Sequence, residues 1–100
     1  MTAATAPAVA DDPRLQQRPA IGPGFRLQWE PAQEAHVLLY PEGVVKLNGS
    51  AGEILTRCDG RRTVAEIIGA LQAEFGMPDL RADVLAFLDI AQRQRWVALA

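Results

Sequence analysis

What most constrains this chain is a change of period at Asn48. Before it, apolar residues fall in short alternating runs; after it, they recur every third or fourth position. In FRLQW, Phe25, Leu27 and Trp29 alternate with Arg26 and Gln28, the pattern of a half-buried strand. The stretch HVLLYPEGVVKLN (36–48) reads as a hairpin, with Pro41 presetting a turn and Gly43 suited to the left-handed position of a three-residue loop. That loop pairs Tyr40 with Val44, Leu39 with Val45, Leu38 with Lys46 and Val37 with Leu47. It predicts a core face of Val37, Leu39, Val45 and Leu47, and an opposite face of Leu38, Tyr40, Val44 and Lys46. Strands are expected over about 25–29, 36–40 and 44–47.

Three helices follow, over about 50–58, 64–75 and 80–93. Asn48 or Ser50 caps the first, with Ser50-x-x-Glu53 as a possible capping box, and Gly60 stops it. Thr63-x-x-Glu66 is a clean capping box for the second, whose stripe is Val64, Ile67, Ile68 and Leu71. The third carries Leu80, Val84, Phe87, Leu88 and Ala91, with Leu85 and Ile90 on opposite flanks, so it is apolar on more than one side. Trp96, Val97 and Leu99 form a short tail able to fold back on the core. The class is α+β: a three-stranded antiparallel sheet, then a three-helix bundle, like a winged helix-turn-helix with its β element moved forward. Residues 1–12 read as a disordered tail and 13–24, with three prolines and two glycines, as an extended lead-in. Residues 13–98 form a single domain.

Ten Lys and Arg against 12 Asp and Glu leave a charge of -2, which opposes nonspecific nucleic-acid binding and offers no polybasic membrane handle. Nothing approaches a membrane span or a secretory signal, so the expected compartment is the cytoplasm. Cys58 and His36 are the only residues of their kinds, which excludes an internal disulfide and a cysteine metal cluster. No phosphate-binding or nucleophile-elbow motif occurs, and no cofactor is expected. His36 reads as a cross-strand surface residue and Cys58 as a small buried hydrophobe. Arg61 and Arg62 suit either a phosphate grip or a solvated turn. Asp79, Asp83 and Asp89 suit either a helix of favourable polarity or a basic guest, and Arg93 and Arg95 suit the end of the third helix. An enzyme would need a catalytic pair that these singletons do not supply. A winged-helix nucleic-acid binder, or another protein–protein interaction module, is the alternative function.

If the first strand pairs with the second, the third keeps a free edge guarded only by Lys46. Such an edge is covered by the N-terminal segment, covered by dimerisation, or filled by an extended segment of another chain. LLYPEG (38–43), Leu47-Asn48, Asp59-Gly60 with Thr63, and Asp83-Val84 with Phe87-Leu88 together resemble the PqqD-type peptide chaperones of pyrroloquinoline quinone (PQQ) biosynthesis, across residues 13–98. The resemblance implies a non-catalytic protein that binds a ribosomal precursor peptide. It presents that peptide to a radical S-adenosylmethionine (SAM) enzyme, which joins a Glu and a Tyr. It also implies that the peptide lies as an added strand beside Val44, Val45, Lys46 and Leu47, over a helix contributing Asp83, Val84, Phe87, Leu88 and Ile90. Monomer and strand-swapped homodimer are both compatible with the proline-rich lead-in.

Overall fold

Three antiparallel strands precede three helices in the computed structural model, which describes residues 12–100. A 3-10 turn over Pro13–Gln16 leads into β1 (Pro19–Ile21), β2 (Arg26–Glu30), β3 (Ala35–Tyr40) and β4 (Gly43–Lys46). Then come α1 (Gly49–Thr56), α2 (Val64–Phe75), α3 (Arg81–Arg93) and a final strand, β5 (Val97–Leu99). The main sheet has the order β2-β3-β4, and β1 pairs with β5 in a separate two-stranded sheet. The α+β class and the sheet-then-helices order hold.

The hairpin register is corrected by one residue. Tyr40 pairs with Gly43, Leu39 with Val44, Leu38 with Val45 and Val37 with Lys46, around a two-residue loop of Pro41 and Glu42. Gly43 is a strand residue with φ 159°, not a left-handed loop residue. A slip of one exchanges the faces of a strand. The expected partners of Val45 and Leu47 on the core face are therefore wrong: Leu38, not Leu39, is the core residue, at 0% exposure. Leu27 pairs with Leu38 from the other side, so Leu27, Leu38 and Val45 form one apolar row across the sheet. Phe25 stacks near Tyr40 at 5.2 Å and Trp29 meets His36 edge-on at 5.0 Å. Val37 is buried too, but outside the contiguous core cluster.

The lead-in has more structure than its prolines and glycines suggest. Asp12, counted with the tail in the sequence reading, caps the 3-10 turn by accepting from the Arg14 amide at 2.9 Å; the rest of the expected tail lies outside the described residues. Leu15 is buried in the core. The segment then threads between the α1–α2 turn and the chain's end. Gly60 N donates to Pro19 O, Val64 N to Gln17 O, and Gly22 N to Trp96 O at 2.7 Å. A Cβ at Gly22 would stand 2.1 Å from the Arg95 carbonyl oxygen, so only glycine permits this crossing. The expected fold-back of Trp96, Val97 and Leu99 is the β5 pairing with β1.

The helices follow their caps. Asn48, not Ser50, caps α1, accepting from the Ala51 amide at 2.8 Å, and Glu53 pairs with Arg57 instead of closing a box on Ser50. Gly52 lets α1 approach β3: a Cβ there would lie 2.9 Å from His36 Nδ1. In α2 the Thr63–Glu66 box is complete, with bonds of 2.8 and 3.1 Å, and the 2.8 Å bond from the Thr63 amide to the carboxylate holds the Glu66 carboxyl below its usual range.

Candidate peptide-docking edge and adjoining groove

Antiparallel ladders alternate bonded and non-bonded pairs. Leu47 N donates to His36 O at 3.1 Å. Stepping by two from that bond makes Leu38–Val45 and Tyr40–Gly43 the bonded pairs of this hairpin. Val44 and Lys46 therefore turn their amide and carbonyl groups outward, away from β3. Among the described residues no strand pairs with that side of β4. The N-terminal segment, one candidate cover, pairs with β5 instead. The side chain of Val44 is 58% exposed and that of Val45 half-buried against the core.

Helix α3 presents two different flanks. Leu85 and Asp89, with Ala82 and Ala86, line a pocket shared with Asp12 and Arg14 of the lead-in. Asp83, Phe87 and Ile90 lie four and three residues apart, on one helical face. That face is open: Ile90 is 51% exposed, Asp83 is exposed, and Phe87 is half-buried, with Trp96 6.4 Å away. Of the residues singled out in the sequence, Val84, Leu88 and Leu47 are buried in the core as floor rather than contact surface. Val45 and Phe87 both pack on that same core from their separate elements. Which flank of α3 shares a pocket with the lead-in was not legible in the sequence, because Asp12 and Arg14 come from the far end of the chain.

A groove of ≈ 560 Å³ lies where the three helices meet. The start of α1 (Gly49, Ser50), the end of α2 (Phe75) with Met77 after it, and the start of α3 (Leu80, Asp83) form its walls, over a floor of Ile54, Leu71 and Val84. Phe75 and Met77 are 48% and 47% exposed. Neither Phe75 nor Met77 is among the candidate site residues read from the sequence. The signal available was that both apolar residues flank Gly76, where α2 ends in a left-handed cap.

The remaining candidates are tied up locally. Arg62 pairs with Asp59 at 3.6 Å, and Asp59 also caps the turn through the Arg61 and Arg62 amides, which holds its carboxyl below the usual range. Arg93 pairs with Asp89 at 2.7 Å. Among the described residues no three His, Cys, Asp or Glu side chains come together as a metal site. Burial pushes the Cys58 thiol up to about 12, and its Sγ donates to Ile54 O. At pH 8 the native protein is therefore expected to resist a thiol-reactive dye, and to react fully only in denaturant. Rapid native labelling would contradict the buried placement.

Comparison with known proteins adds an independent line. Residues 35–97 match the family model described as coenzyme PQQ synthesis protein D (PqqD). The chain is 56% identical over 88 residues to a PqqA binding protein of Pseudomonas aeruginosa (strain UCBPP-PA14), covering 87% of this chain and 96% of that protein. It is 51% identical over 86 residues to the PqqA binding protein of Azotobacter vinelandii, covering 85% and 94%. Its fold matches the solution NMR structure of the PqqD truncation of Methylobacterium extorquens PqqCD. The TM-score is 0.67 and the identity 31%, over 80% of this chain and 87% of that one. That truncation is described as a functional, stand-alone recognition element for ribosomally synthesized and post-translationally modified peptides.

Proposed function

The chain belongs to the PqqD family, and on that premise we propose that it is a non-catalytic chaperone of PQQ biosynthesis, which binds the PqqA peptide by strand addition on β4. The observation that carries this reading is the unpartnered rim at Val44 and Lys46; the open Asp83–Phe87–Ile90 face of α3 supports it. Outward amides and carbonyls supply register-blind affinity, and alternate guest side chains meet the apolar flank and give selectivity. The peptide backbone lies along Val44, Val45 and Lys46. Leu47, Val84 and Leu88 hold the floor, and Asp83, Phe87 and Ile90 contact the guest. The loaded protein presents the peptide to a radical SAM enzyme for Glu–Tyr cross-linking, in the cytoplasm, where ribosomal peptides arise. No chemistry is asked of the chaperone itself. Ordering a flexible peptide costs entropy, so affinity rests on the apolar contacts, and release stays accessible.

Amide NMR titration with the Pseudomonas aeruginosa PqqA peptide tests this. Shifts are expected at 44–47 and at Asp83, Phe87 and Ile90, with α2 residues 64–70 quiet. Silence at β4 with shifts elsewhere would defeat the assignment.

A further inference from the structure

The groove at the helix junction adjoins the β4 edge site: it shares Asp83 with that site and begins where the edge ends. Lys46 is the last residue of β4, and Gly49 and Ser50, only three residues on, already form the groove wall. Every pairing in the main sheet is antiparallel, and antiparallel pairs are the more stable kind. A guest continuing the pattern runs opposite to β4, so its first paired residue stands beside Lys46. Whatever precedes that residue is carried past Leu47 and Asn48 onto the groove.

The groove is built for such an arrival. Phe75 and Met77 leave nearly half of two large apolar side chains in water, side by side, over a buried floor. An exposed apolar concavity of this kind marks a binding surface. Its rim is acidic, with Glu53 and Asp83, and Asp83 takes no part in the ion pairs found among the described residues. Glu53 is already matched by Arg57 at 2.9 Å, which leaves Asp83 as the unmatched charge.

We propose that this groove holds the residues of the precursor peptide immediately N-terminal to its added strand, anchored by a large apolar side chain with a cationic residue beside Asp83. The proposal rests on the strand-addition reading above and makes the recognition bipartite: the edge reads backbone, the groove reads side chain. A second copy of the chain or the partner enzyme are the competing occupants.

The test is binding of Pseudomonas aeruginosa PqqA, full-length and trimmed stepwise from either end, to the intact protein and to variants. Phe75→Ala with Met77→Ala is expected to weaken full-length binding roughly tenfold, as loss of two partly buried apolar contacts implies. Asp83→Asn should weaken it about two- to threefold, and less at high salt. Trimming the peptide's N-terminus should weaken binding to the native protein and erase its difference from the Phe75 and Met77 variants, the signature of a shared contact. Met77→Ala alone, in the turn after α2, gives the same comparison if the double variant folds poorly. The inference is overturned if the double variant binds full-length peptide like the native protein. It is equally overturned if trimming the C-terminus, not the N-terminus, removes the difference, or if the variant loses only self-association or enzyme capture. Failure of the strand reading looks different: Lys46→Pro would then leave peptide affinity untouched, whatever Phe75 and Met77 do.

Discussion

Lys46→Pro is expected to weaken PqqA binding at least about tenfold while the protein stays folded. The register places the Lys46 amide on the outer side of β4, where no strand among the described residues receives it. Proline removes that donor, and its ring occupies the space a guest backbone must enter, but it breaks no bond to β3. One net hydrogen bond is worth about 1 kcal/mol, close to a factor of five to ten, and exclusion of the approaching strand adds to it. Lys46→Ala keeps the amide and should bind within about twofold of the native protein, because an exposed charge contributes little. Isothermal titration with the peptide measures both, and circular dichroism checks the fold. Equal affinities for the proline and alanine variants would mean that the guest does not pair with this edge.

How far the sequence disclosed this arrangement depends on where each element's partner lies along the chain. Helix α2 was readable to the residue, because its start signal, Thr63 with Glu66, and its stop, Gly76, are local chemistry. Strands β2, β3 and β4 were readable as strands from alternation and turn residues, within a residue at each end. The loop between β3 and β4 was not, because Pro41-Glu42-Gly43 accommodates closures of two or three residues. The choice is made by packing: Leu38 must join Leu27 and Val45. The lead-in was least readable. Its strand is three residues long, has no period of its own, and pairs Pro19 with Leu99. That distant partner also explains why Gly22 could not be told from a loop glycine.

The docking residues divide along the same line. A free edge on the last strand of the sheet could be inferred from element order alone. Which flank of α3 meets the lead-in depends on segments distant in sequence, and the groove depends on three helix ends converging. Neither has a local signature. The family resemblance named Asp83, Phe87 and Ile90, but it gave equal standing to Val84 and Leu88, which the fold buries as support. A motif match by itself does not separate contact from support.

Leu38→Ala and Leu39→Ala should differ sharply, and the difference measures the register itself. Leu38 is completely buried on the central strand, between Leu27 and Val45, and belongs to the cluster that includes Leu55 and Leu88. Removing its side chain deletes apolar contacts and leaves a cavity in a strand held on both sides, which costs about 2–5 kcal/mol. For a domain of this size that lowers the midpoint of thermal unfolding by roughly 10 °C or more. Leu39 lies on the opposite face, half-buried, beside the exposed Val44 and outside the core cluster. Its truncation should cost about 1 kcal/mol, since little ordered packing surrounds it. Paired denaturation curves read at equal slope settle the comparison. With a three-residue loop the order would invert, Leu39 becoming the costly position, and the outward groups of β4 would move to Val45 and Leu47. A larger loss at Leu39 than at Leu38 would therefore overturn both the hairpin geometry and the docking rim built on it.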